Sequence, residues 1–163
     1  MKLFYLILST AVSFSSYAQQ NTLAIKKNIN QAGRIACEQT ILAYPNLRDH
    51  GPVIKYGALF SQDAIFNVKK YSISLQGRSK IIERLESALR TTQTHHIVSD
   101  VKIEHISEKK YKSHAYFTLN LKKLTPQQSP PVNITGHYED LLQFDGNKCL
   151  IVSRQVNIDS PKS

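Results

Sequence analysis

The stretch His95-His96-Ile97-Val98-Ser99-Asp100-Val101-Lys102-Ile103-Glu104-His105 marks the point where the chain changes character. Read with a period of two, Ile97, Ser99, Val101, Ile103 and His105 share one face of a strand, and His96, Val98, Asp100, Lys102 and Glu104 share the other. Beyond it the pattern contains strands only. Three more are predicted, roughly Tyr111 to Leu124, Val132 to Phe144 and Cys149 to Ile158. The connections are Ser107 to Lys110, a Pro/Gln/Ser loop at Thr125 to Pro131, and Asp145-Gly146-Asn147-Lys148, where Asp-Gly is a strong hairpin signal.

Upstream the spacing is mostly helical. From Leu23 to about Leu47, Ile25, Ile29, Ala32, Ala36 and Ala43 recur as on one face of a long amphipathic helix, whose last turns Pro45 should bend or break. Gly51-Pro52 punctuates the chain, and Pro52 suits the first turn of a second helix running to Phe60. Ala64 to Val68 and Tyr71 to Gln76 read as short strands, with Lys69-Lys70 between them. Gly77 followed by Ile81, Ile82, Leu85, Ala88 and Leu89 predicts a third helix. Helices first and a run of antiparallel strands after is the α+β signature, with the helices gathered on one face of a curved sheet.

Composition agrees with one globular domain: of 163 residues, 41% are hydrophobic and 20% charged, which excludes a disordered chain. No run of about 18 apolar residues occurs, so no membrane span is expected. The formal charge of +9 invites a nucleic-acid reading. Its distribution argues against one. Lys26-Lys27, Lys69-Lys70, Lys109-Lys110 and Lys122-Lys123 form separate pairs near element ends and turns, and the aromatic-basic strand motif of RNA-binding domains is absent. Loose attraction to an anionic envelope surface is what remains of the charge argument.

Lys2, the apolar run Leu3 to Phe14 and the small-residue site Ser16-Tyr17-Ala18 have the layout of a secretory signal peptide. Cleavage after Ala18 is expected, leaving residues 19–163 as a single domain in the periplasm or outside the cell. In an oxidising compartment Cys37 and Cys149 allow one pairing, and two separately buried thiols are the alternative. Neither an H-E-x-x-H helix, a CxxC pair, a phosphate-binding loop, a dinucleotide fingerprint nor a G-x-S-x-G elbow is present, so neither a metal nor a cofactor is expected. His95 and His96 are adjacent and point to opposite faces of any regular strand, and which of them points inward stays open.

Several stretches resemble the SnoaL-like branch of the nuclear transport factor 2-like superfamily, which includes scytalone dehydratase, ketosteroid isomerase and limonene epoxide hydrolase. They are Tyr44 through Phe66 with Asp49 and Ser61-Gln62-Asp63-Ala64-Ile65-Phe66, then Gly77-Arg78-Ser79-Lys80-Ile81-Ile82, then Thr94 through Val101, and finally Gly136-His137-Tyr138-Glu139-Asp140 with Asp145-Gly146 through Arg154. The resemblance covers about residues 25–159. It implies a cone in which a strongly curved, mostly antiparallel sheet wraps an internal pocket under the N-terminal helices. It also implies a homodimer formed through the outer sheet face.

The resemblance further implies a site. Asp49 matches the pocket carboxylate of dehydratase-like members, a general base whose pKa burial would have to raise; the bland alternative is a solvated cap of the second helix. His96 matches the strand histidine that pairs with that carboxylate, and a neutral imidazole beside a carboxylate can both accept and donate a proton. Tyr44, His114, Tyr116 and Tyr138 are candidate ligand-binding side chains of the pocket wall, and Arg154 matches a position that can hold an ion pair, with Asp63 as the candidate partner. This chain departs from scytalone dehydratase in having Arg48 where a Tyr precedes the pocket Asp, Asn67-Val68 near a second active-site Tyr, and Cys149 at the usual Trp. The function implied is binding or transformation of a small apolar cyclic or polyketide-like compound by Asp/His acid-base chemistry of dehydratase or isomerase type. A non-catalytic ligand-binding or dimerisation module of the same fold is the alternative.

Overall fold

A computed structural model describes residues 8–124 and 130–160. The first residues of the expected leader and most of the connection at Thr125 to Pro131 therefore lie outside the described residues. The backbone is helical across the expected cleavage point, within α1 (Leu8–Asp49). There follow α2 (Val53–Gly57), β1 (Phe60–Val68), a 3-10 turn (Lys69–Tyr71), β2 (Ile73–Gln76), α3 (Arg78–Thr91), and the long strands β3 (Thr92–Ser107), β4 (Lys110–Lys123), β5 (Val132–Phe144) and β6 (Cys149–Ser160).

One six-stranded sheet runs in the order β2-β1-β6-β5-β4-β3. Every neighbouring pair is antiparallel except β1 with β6, which are parallel. The sheet is open at both edges, and the helices pack on its inner face, the expected α+β arrangement. β4 shows how the inner face is made: Tyr111, Ser113, Ala115 and Phe117 alternate inward, while Lys112, Tyr116 and Thr118 point out.

Local signals fail in a few places, each for a packing reason. α1 does not break at Pro45; it continues to Asp49, because Ile41 and Tyr44 before the proline are buried against the core and Leu47 after it packs on the same core. Ile25 and Ile29, expected on the buried face, stand 58% and 49% exposed. The packed face of α1 begins only at Gly33, where an added Cβ would meet the Tyr111 hydroxyl at 2.1 Å. α2 is shorter than predicted, since Phe60 already belongs to β1 and pairs with Ile151 of β6.

The single-period reading of β3 breaks at Asp100. Ser99 faces Tyr116 and Lys102 faces His114, so β3 carries one extra residue, and Asp100 takes φ 51°. This is a β-bulge with its αL position filled by Asp, one of the few side chains that tolerate it. Its effect is to change the inward parity: His96 and Val98 face the core before the bulge, Val101 and Ile103 after it. Ile97 is consequently 56% exposed rather than grouped with Val101 and Ile103.

Cys37 and Cys149 form a disulfide that ties α1 to the start of β6. Thr40 reinforces the same junction, its hydroxyl donating to the Cys149 carbonyl at 2.8 Å. A bridge over a span of 112 residues stabilises by roughly 4–5 kcal/mol in the chain-entropy account.

Candidate active site

Asp49 is the last residue of α1, so its carboxylate leaves the helix end and reaches across to β3. There Thr94 donates its hydroxyl to Oδ1 at 2.7 Å, the His96 backbone N–H donates to Oδ2 at 2.6 Å, and His96 Nδ1 lies 2.6 Å from Oδ1. Asp49 and His96 side chains are only 2% and 7% exposed. His96, not His95, therefore faces inward; His95 is exposed. Asp49 is no cap of α2, whose start at Pro52 has no side-chain hydrogen bond.

Burial alone would push the Asp49 carboxyl up, but the hydrogen bonds and charge of His96, with help from Thr94, outweigh it and hold the group below its ordinary 3.8. Burial pushes the His96 imidazole down, its Asp49 partner pulls it back up, Arg48 and Arg154 push it down again, and the result lies below 6.5. At neutral pH the pair is thus an ionised carboxylate and a neutral imidazole. An ionised carboxylate only accepts, so Nδ1 carries the proton and Nε2 keeps its lone pair. The Asp49 carboxyl is thus held low where the resemblance implied a raised pKa. Asp49 has both oxygens engaged, and His96 Nε2 is the ring nitrogen that takes no part in the pair.

His96 borders a cavity of about 450 Å³, and Asp49 lies behind it. Aromatic walls come from Tyr44, Tyr56, Phe66, Tyr71, Phe117 and Tyr138, and aliphatic ones from β2, α3 and the ends of β4, β5 and β6. Tyr44 stands edge-on to His96, their ring centroids 6.2 Å apart. Tyr44 and Tyr138 are therefore in the wall, as expected. His114 and Tyr116 are not. They occupy the outer face of β4, where His114 stacks on His137 at 5.2 Å and Tyr116 is 48% exposed, because inward positions of this strand are odd-numbered.

Below the cavity the Arg154 guanidinium packs on two phenol rings, 4.0 Å from the centroid of Tyr44 and 4.2 Å from that of Tyr138, and these rings meet each other edge to face at 5.6 Å. Its partner is Asp140, not Asp63: Nε and one Nη donate to the carboxylate at 2.7 and 2.9 Å, and Ser113 adds a third bond at 2.8 Å. Asp63 points outward on β1 and is exposed, whereas Asp140 and Arg154 face each other across the β5/β6 pairing. This buried, bidentate pair fixes the guanidinium against both rings and so shapes the cavity floor.

The site contains residues that the sequence reading did not single out. Thr94 could have been found, since it lies two positions from His96 and thus on the same strand face. Tyr56 and the Asp140 partnership had no local signal. Of the possible metal-ligating side chains, Asp49, His50 and His95 bring one donor atom each within 4.8 Å of one another. A cation there would compete with Thr94 and His96 for the Asp49 oxygens.

An open curved sheet, helices on its inner face and a His/Asp pair in an apolar cavity define a class of protein. The sequence matches the SnoaL-like domain over residues 32–155, and the chain belongs to that family. Its fold recurs in a proposed scytalone dehydratase from Novosphingobium aromaticivorans (TM-score 0.70, 18% identity, covering 82% of this chain and 88% of that one). It recurs also in a type 2 hexachlorocyclohexane dehydrochlorinase, LinA (TM-score 0.72, 12% identity, 82% and 89%). A third neighbour is ActVI-ORFA from Streptomyces coelicolor (TM-score 0.60, 18% identity, 75% and 96%). No curated protein matches the sequence. At such identities the likeness concerns the fold.

Proposed function

We propose that this chain is a cofactor-independent lyase or isomerase acting on an apolar cyclic, polyketide-like compound. The observation that carries the reading is the neutral His96, held by an ionised Asp49, with Nε2 free at the wall of an apolar cavity. Nε2 takes a proton from a carbon whose acidity a neighbouring carbonyl raises. The electron pair left on that carbon then either expels a leaving group from the next carbon, giving an alkene, or is reprotonated elsewhere by the imidazolium. Water-poor walls strengthen the Asp49 interaction that stabilises the imidazolium as it forms. The name of the dehydrochlorinase neighbour denotes an elimination, which supports the reaction class.

The test uses a panel of cyclic β-hydroxy ketones in D2O, with carbon-bound deuterium and alkene formation followed by NMR. Exchange or elimination by the native protein, lowered at least a hundred-fold in His96→Ala, is the expected result. Equal rates in the two proteins would leave the cavity as a binding site without turnover.

Two further proposals concern setting. Residues 1–18 act as an export leader removed after Ala18, a reading supported by the Cys37–Cys149 bridge, which an oxidising compartment sustains. The intact mass of the protein recovered from the envelope fraction checks it. The chain forms a homodimer through its outer sheet face, supported by Ile97 and Tyr116 exposed there. Light scattering of the purified protein should give twice the chain mass.

A further inference from the structure

The cavity wall is unbalanced in charge. Arg48, Arg84 and Lys123 border it and, among the described residues, no carboxylate does, since Asp49 lies behind His96 with both oxygens engaged. None of the three cations forms an ion pair among the described residues. Arg84 and Lys123 are exposed, and so sit where the cavity meets solvent. Arg48 differs from them. It is half-buried in the last turn of α1, and its one side-chain hydrogen bond among the described residues is a long contact, 3.5 Å from Nη1 to Thr94 Oγ1. Most of its donors are left for the cavity. The Thr94 hydroxyl donates in turn to Asp49, which holds His96, so this guanidinium borders the reacting end of the site.

A guanidinium partly withdrawn from water with vacant donors is an anion site by its chemistry, because its planar fork matches a carboxylate at two points. Apolar walls lower the local dielectric and strengthen the attraction. We infer that the ligand of this cavity is an apolar ring compound carrying one carboxylate, that Arg48 holds the carboxylate beside His96, and that Arg84 and Lys123 draw it to the opening. A methyl ester of the same ring would exclude water from Arg48 and return one neutral carbonyl acceptor in place of a charged pair of oxygens, and that loss is what selects acid over ester. The inference rests on the reading of the cavity as a small-molecule site and does not require turnover.

Isothermal titration with 2-naphthoate and with methyl 2-naphthoate tests it. The native protein should bind the acid at least about ten-fold more tightly than the ester. Arg48→Gln should remove most of the preference for the acid, leaving only the small part that Arg84 and Lys123 supply, and leave the ester unchanged. Arg48→Lys, which keeps the charge but not the fork, should retain part of the preference. The double variant Arg84→Gln/Lys123→Gln should lose about three-fold of the preference and most of its salt dependence. Equal affinity for acid and ester in the native protein, failure to bind either, or an undiminished preference in Arg48→Gln overturns the inference. His96→Ala separates the two proposals: it removes the base, and the acid preference should survive in it whether or not turnover exists.

Discussion

Replacing Asp140 by Asn removes a charge from the most deeply buried ion pair among the described residues. Asp140 and Arg154 side chains are both 0% exposed, and the carboxylate accepts bonds at 2.7, 2.9 and 2.8 Å from Arg154 and Ser113. An amide keeps one acceptor oxygen but turns its NH2 toward a donor, and the guanidinium stays buried without a counter-charge. Arg154 has little reserve, since its second Nη already lacks a partner. Breaking such a pair from one side costs about 3–5 kcal/mol. For a domain of this size that corresponds to a fall in melting temperature of roughly 10 °C. Urea unfolding with the disulfide intact measures it, and the slope against denaturant should stay unchanged. The double variant Asp140→Leu/Arg154→Met removes both charges together and should recover most of the loss, because matched apolar replacements avoid the desolvation penalty. A cost below about 1 kcal/mol in Asp140→Asn, or a double variant as unstable as the single one, refutes the account of the cavity floor as a closed, charge-paired layer.

Turnover should depend on neutral His96: kcat/KM is flat above the ordinary imidazole value and falls as pH drops through a pKa depressed below 6.5, which a pH profile against Asp49→Asn would read. Asp49→Asn can donate to Nδ1 and place the proton on Nε2, so turnover should drop by about 10²–10⁴ while the Kd for a ligand changes little. Stability should decline on the acid side for two reasons of the same sign. Neutral His96 is preferred in the fold, so the unfolded chain takes up protons first below 6.5, and the lowered Asp49 carboxyl adds stability above 3.8 that is lost as pH falls through its folded value; thermal melts across pH 3 to 7, on the order of one unit apart, show it. Cys37→Ser/Cys149→Ser should lose roughly 4–5 kcal/mol in equilibrium unfolding, with the helix-end carboxylate less well placed as a result.

The order of elements was legible because it rests on periodicity, which is local. β5 has the predicted bounds, Val132–Phe144, and β6 starts where the Asp-Gly hairpin places it. What escaped is what depends on neighbours in space. Nothing in Ser99-Asp100-Val101 announces that one residue is to be looped out, yet that residue decides which side chains share a face with His96. His114 and Tyr116 share a face as expected, but which face is set by the core packing of Tyr111, Ala115 and Phe117. The Asp49/His96 pair was legible as a pair through resemblance, while its protonation pattern was not, because burial, two arginines and three hydrogen bonds compete for it. Arg154 shows the same limit: its partner is opposite it only once the register of β5 and β6 is known.

The bridge between Cys37 and Cys149 makes the chain from the first helix to the last strand a covalent ring. A protease that cuts once anywhere between these two residues opens the ring without releasing a fragment. The two pieces stay at the high effective concentration of a tethered pair, and re-pairing the sheet is an intramolecular event. Resistance to a single nick is thus built into the covalent topology, and it disappears in a reducing medium, where the same cut yields two separable peptides.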